Sequence, residues 1–104
     1  MPDTPQAVIV RDNPAESRYE TQIDGHTAFA AYTRQGNEIT FTHTEVPAEL
    51  SGGGIAGRIV SFALDDARQQ GLGVIPLCPY VVSYIKRHPE YRDLVLPAYQ
   101  DRVQ

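Results

Sequence analysis

Four side chains and one loop carry the chemistry this sequence can offer. Cys78 stands immediately before Pro79 at the expected start of a helix, where the positive end of the helix dipole favours the nucleophilic thiolate. Such a thiol can accept an acyl group, and the competing role is an ordinary buried cysteine of the core. His43 and Glu45 alternate on an expected strand, so both project from one face and can take a proton from an amine, directly or through water. An exposed polar strand face accounts for the pair equally well. Tyr84 is a proton donor wherever it reaches a leaving group, yet its spacing from Tyr80 also suits packing on one helix face. His26, His43 and His88 form no metal-ligand spacing with Cys78, so no metal is expected.

The loop lies in "ELSGGGIAGRIVSFALDDARQQG", residues 49–71, where Gly52, Gly53, Gly54 and Gly57 lead directly into a helical pattern. A glycine-rich turn there can bring bare backbone N–H groups against an anion, and the helix terminus adds about half a positive charge. Phosphate is the natural ligand, and a flexible surface loop is the alternative. Position favours phosphate, because glycines that order nothing are entropically expensive between a strand and an amphipathic helix. Gly52, Gly54 and Gly57 satisfy G-x-G-x-x-G, but a dinucleotide fold is excluded on three grounds. Pro47 to Ser51 separate the loop from its strand, no acidic residue ends "GVIPL", and the chain has no room for a second mononucleotide half. The absence of Gly-Lys-Ser or Gly-Lys-Thr excludes a P-loop.

The elements that must position these groups follow from periodicity. "SRYETQID" and "HTAFAAYTR" flank Asp24-Gly25, a dipeptide suited to a tight hairpin turn, and read as an antiparallel pair. Gln35-Gly36-Asn37 turns the chain into "EITFTHTEV", where Ile39, Phe41, His43 and Glu45 form one row and Thr40, Thr42, Thr44 and Val46 the other. A short edge strand is expected near Ala7 to Val10. Arg58, Ser61, Asp65 and Arg68 make one polar stripe of a helix over 55–70, with Ile55, Ile59, Val60, Phe62, Ala63 and Ala67 on the apolar arc and Gly71 as its end. The run "DDARQQ" reads as its solvated face. "LGVIPL" is a short buried strand, which completes a right-handed β-α-β unit from strand 39–46 through the helix to 72–77. A last helix runs from Cys78-Pro79 to about His88, stopped by Pro89, with Lys86, Arg87 and His88 at its negative end.

Length limits the chain of 104 residues to one domain, with residues 1–14 and 96–104 expected to be less ordered. A hydrophobic fraction of 41% against 21% charged excludes a disordered chain and predicts a normal small core. The net charge of -4 argues against nucleic acid or an anionic membrane as partner. A lone cysteine and a start without a basic, long apolar segment point to a cytoplasmic protein without a disulfide.

Taken in order, "HTEVP", "GGGIA" and "PLCPY" resemble the GNAT acyltransferase superfamily, in particular its small single-domain branch, over roughly residues 17–95. The resemblance implies an α/β (α+β) fold with a mixed sheet: antiparallel N-terminal strands, then the β-α-β unit and a C-terminal helix. It implies acetyl-CoA as acyl donor and an amine as acceptor. The loop pattern Gln/Arg-x-x-Gly-x-Gly/Ala cradles the pyrophosphate in that superfamily. Here Glu49 takes the Gln/Arg position, Gly52 and Gly54 the glycine positions, and Gly53, Ile55 and Ala56 stand beside them. The pantetheine arm is implied to enter between two splayed strands and to pair with backbone near Glu45 and Val46, with Cys78 and Tyr80 close to it. Tyr84 matches a tyrosine that protonates the departing CoA thiolate. Two routes are implied, direct attack by the amine and transfer through an acetyl-Cys78. Strands occupy the place of the two N-terminal helices that usually shape the acceptor site, so a protein or peptide amine suits the open site. A CoA-binding or interaction domain that has lost turnover is the alternative.

Overall fold

The computed structural model describes residues 8–104. Five strands form one sheet in the order β1-β2-β3-β4-β5: β1 Arg11–Asn13, β2 Arg18–Ile23, β3 His26–Gln35, β4 Glu38–Glu45 and β5 Gly73–Pro76. The first four pair antiparallel, and β5 joins β4 in parallel through helix α1, Ile55–Gln70. Helix α2, Pro79–Arg87, follows β5, and 3-10 segments lie at Pro14–Glu16, Ala48–Leu50, Pro89–Leu94 and Pro97–Val103. The mixed sheet with its β-α-β unit is the architecture the resemblance implied.

Local chemistry explains most element ends. Asp24 (φ 52°) and Gly25 (φ 80°) both lie in the left-handed region, which a two-residue hairpin needs to match the twist of its strands. Gly71 (φ 70°) ends α1 as expected, its N–H bonded to the Arg68 carbonyl while Leu72 N–H bonds the Ala67 carbonyl. Pro79 opens α2 where a missing N–H is harmless.

Tyr19, Ala28, Ala30, Tyr32, Ile39, Phe41 and Val74 from the sheet bury themselves against Ile59, Val60, Ala63 and Leu64 of α1 and Val81 and Ile85 of α2. Both helices therefore cover the same side of the sheet. Register puts Arg18, Glu20, Gln22, Phe29, Ala31, His43 and Glu45 on the opposite side, and no helix covers them among the described residues.

Four expectations need correction. The edge strand starts at Arg11, not in the Ala7 to Val10 stretch, of which Ala7 lies outside the described residues; the Arg11 guanidinium bonds Glu20 on β2, which anchors the pairing there. Phe62 is 41% exposed at the margin of the core, edge-on to Tyr19. The run "DDARQQ" is not merely solvated: Asp65 accepts from the Tyr91 hydroxyl, Asp66 from the Tyr19 hydroxyl at 2.6 Å, and Arg68 grips Asp93 and the Glu90 carbonyl. Finally, residues 96–104 include the 3-10 segment Pro97–Val103, and Val103 is completely buried in the core.

Candidate functional site

The row Ile39, Phe41, His43, Glu45 does not share one face, because β4 carries an extra residue. Tyr32 pairs with Phe41 and Ala31 with His43, so Thr42 has no counterpart on β3. Such a bulge reverses which side of the sheet the following residues face. Ile39 and Phe41 enter the core, whereas His43 and Glu45 emerge on the open side, 60% and 61% exposed, with His43 Nε2 3.1 Å from Glu45 Oε1. Thr44 turns inward instead. Its Oγ1 lies 3.3 Å from Cys78 Sγ.

The same region is where β4 and β5 part. Their pairing ends at Phe41 and Pro76, and the N–H groups of Leu77 and Cys78 both close on the Phe41 carbonyl. Beyond that point β4 continues to Glu45 with β3 alone as partner among the described residues. A free strand edge of this kind can pair with an extended ligand.

At the end of this edge lies a cavity of about 270 Å³ lined by Val46, Leu50, Ser51, Gly52, Gly54, Ile55, Ala56 and Tyr80. Gly52 (φ 86°) and Gly54 (φ 73°) adopt left-handed backbone, and Gly54 caps α1, its carbonyl accepting the Arg58 N–H at 3.1 Å. The first turn of α1 has no acidic residue to offset its positive dipole end, and Gly54, Ile55 and Ala56 at that end line the cavity. Glu49 sits in the preceding 3-10 turn, 3.9 Å from His26 Nδ1, and does not line the cavity. A larger surface groove of about 550 Å³ lies between Val8–Val10 and the Arg58–Phe62 side of α1 and holds none of the candidate groups; the smaller cavity is the relevant one because it joins backbone donors to the splayed strands.

Most of the expected ligand-binding residues thus meet: Val46, Gly52, Gly54, Ile55, Ala56 and Tyr80 line one cavity, with Gly53 between two of them. Cys78 is only 3% exposed and is the N-cap of α2. It faces Thr44 rather than solvent. Tyr84 stands one turn behind Tyr80, stacked on His88 with ring centroids 4.2 Å apart and facing Gly57 of α1. It does not line the cavity. Burial raises its phenol above the ordinary tyrosine pKa, so it holds its proton further into the alkaline range than a free phenol. Thr44, Leu50 and Ser51 escaped sequence reasoning. Leu50 and Ser51 were legible as neighbours of the glycines, but Thr44 was not, because its inward turn depends on the bulge.

A two-layer α/β fold whose parallel strands diverge beside a glycine-capped helix defines the class. The model of the GCN5-related N-acetyltransferase family matches residues 18–94, and the chain belongs to that family. Among solved structures, the NMR solution structure of a GCN5-like protein from Staphylococcus aureus is similar in fold, with a TM-score of 0.67 at 24% identity over 86% of this chain and 88% of that one. Comparison with curated protein sequences found no significant match.

Proposed function

We propose that this chain is an acetyl-CoA-dependent N-acetyltransferase that transfers the acetyl group to a primary amine, with a protein or peptide as the acceptor. The observation that carries the reading is the continuity of the β4 edge at Thr44 and Glu45, which β5 does not pair and which has β3 alone as partner among the described residues, through Val46 with the cavity at the N-terminus of α1. The residues fit the donor: left-handed Gly52 and Gly54 leave N–H groups uncovered for a pyrophosphate, and the strand edge offers main-chain groups to the pantetheine amides.

In the transfer step the amine nitrogen attacks the thioester carbonyl, the new N–C bond forms, and the C–S bond breaks with departure of the CoA thiolate. The His43–Glu45 pair, on the open side of β4, accepts the amine proton through water. Main-chain N–H groups of β4 beyond Phe41, where β5 no longer pairs with it, stabilise the oxyanion, since those of Leu77 and Cys78 are already taken by the Phe41 carbonyl. Direct attack is the route the geometry favours, because Cys78 is buried against Thr44. Tyr84 serves as proton donor to the thiolate only through Tyr80 or a water, since it stands outside the cavity.

Titration of the chain with CoA and with acetyl-CoA, followed by backbone amide NMR shifts, tests the reading. Shifts concentrated at Val46, Gly52 to Ala56 and Cys78 are expected. No shifts at millimolar ligand would overturn acyl transfer and leave a family scaffold serving as an interaction domain, a role that the uncovered side of the sheet favours.

A further inference from the structure

The uncovered side of the sheet is built as two parallel rows of side chains. Register places Arg11, Glu20, Phe29 and Glu45 in one row across β1 to β4, and Asn13, Arg18, Ala31 and His43 in the next. Contacts join the rows from end to end. Glu20 accepts from Arg11 at 2.6 Å, Arg18 at 2.7 Å and Asn13 at 3.2 Å. Arg18 lies over the Phe29 ring at 4.9 Å, and Phe29 meets the His43 ring edge-on at 6.1 Å.

Glu20 is the unusual member: on the side that no helix covers among the described residues, it is only 2% exposed. Taking a carboxylate out of water is unfavourable unless partners compensate. Its two guanidinium partners do so, and Glu20 in turn fixes where both of them stand. Two arginines around one carboxylate leave a net positive charge at the β1–β2 end, and Arg11 is 68% exposed there. At the β4 end stand the exposed His43 and Glu45. Phe29 and Ala31 form the half-buried floor between the two ends.

We propose that this surface docks the acceptor, and that the acceptor is an extended peptide with its reactive amine over His43 and Glu45 and a carboxylate side chain at Arg11 and Arg18. The proposal rests on the acyltransferase reading for the identity of the reacting group, but the docking surface stands on its own geometry. Neighbouring strands are about 4.8 Å apart, so Arg18 and His43 are separated by roughly 10 Å and Arg11 and Glu45 by roughly 14 Å. An extended peptide advances about 3.3 Å per residue. The acidic residue therefore belongs three or four positions from the one that carries the amine. The charges are complementary at both ends: the cationic amine meets Glu45, and the acid meets the arginine pair. Glu20 is a positioning residue in this arrangement.

The test measures binding without turnover. Fluorescent peptides with a free N-terminal amine and a single aspartate at successive positions, together with an all-neutral control, are titrated with the full chain in the presence of CoA. The expected result is about fivefold tighter binding with the acid three or four positions from the amine, as a largely exposed charge pair would give, and a preference that collapses towards the neutral control in Arg11→Gln. Arg11→Lys should restore part of it. A preference that is absent, that ignores position, or that persists in Arg11→Gln overturns the proposal. So does sedimentation of the chain as a dimer that Phe29→Arg dissociates, because the surface would then belong to a second copy. Acid-dependent peptide binding without any CoA-induced amide shifts would refute acyl transfer and leave the docking surface intact. CoA shifts without acid dependence would do the reverse.

Discussion

Replacing Gly54 and Gly57 separately by alanine should move stability in opposite directions, although the two glycines stand in adjoining turns of one segment. Gly54 has φ 73° and ψ 17°, and a Cβ there would meet nothing within 4 Å. The whole penalty is therefore backbone: a left-handed conformation costs a non-glycine residue about 1–2 kcal/mol. Gly57 lies inside the first turns of α1, and its Cβ would touch the Tyr80 hydroxyl at 3.6 Å and Tyr84 Cε2 at 3.7 Å, both ordinary contacts. Alanine there gains about 0.5–1 kcal/mol through helix propensity and a less flexible unfolded chain. The two variants should differ by about 1.5–3 kcal/mol. For a domain of this size that separates their melting temperatures by roughly 10 °C. Urea melts of both variants and the parent, with m held to the parent value, make the comparison. Shifts of the same sign would refute the left-handed cap as the reason for Gly54 and, with it, the geometry assigned to the loop.

Other substitutions and conditions probe separate parts of the argument. Gly73→Ala would drive a Cβ into the half-buried Leu96 side chain; because that side chain can shift, the cost should lie at the low end of the overpacking range, about 1 kcal/mol in the same melts, and Leu96→Ala should relieve most of it. Phe41→Ala, at the centre of the core and 1% exposed, should remove about 3–5 kcal/mol. Hydrogen bonds from Arg18, Asn13 and Arg11 hold the Glu20 carboxyl below the ordinary glutamate pKa despite its burial. Its contribution is therefore complete above the unfolded-state value of about 4.3 and is lost as pH falls through the lower folded value; Glu20→Gln should flatten the acid limb of the stability curve. At the alkaline end, burial and the hydrogen bond to Asp65 push the Tyr91 phenol up to about 12. Its contribution is present below pH 10 and disappears as pH rises towards 12, and Tyr91→Phe should remove that part of the alkaline loss seen by thermal melts. Cys78→Ser should retain turnover under direct attack; simultaneous loss of acetyl labelling and turnover would establish the acetyl-Cys78 route instead.

Local chemistry made several elements legible from the sequence alone. Asp24-Gly25 tolerates left-handed backbone, the apolar arc of 55–70 has helical period, Gly71 ends that helix, and Pro79 starts the next. Each signal is complete within a few residues, because it depends on the φ, ψ and spacing of those residues alone. The glycine loop was legible for the same reason, and so was its link to a known family.

Tertiary structure decided what no short window contains. An extra residue at Thr42 is visible only against β3, yet it sends His43 and Glu45 outwards and Thr44 towards Cys78. The burial of Glu20 requires Arg11 from a neighbouring strand as well as Arg18 from its own. Tyr19 looks like an ordinary strand aromatic until Asp66 arrives on the helix above it. Sequence patterns report which residues favour a helix, a strand or a turn, since those preferences are local. Which strand faces which, and in what register, follows from pairing and packing across distant segments, and here that register separates the core from the chemistry.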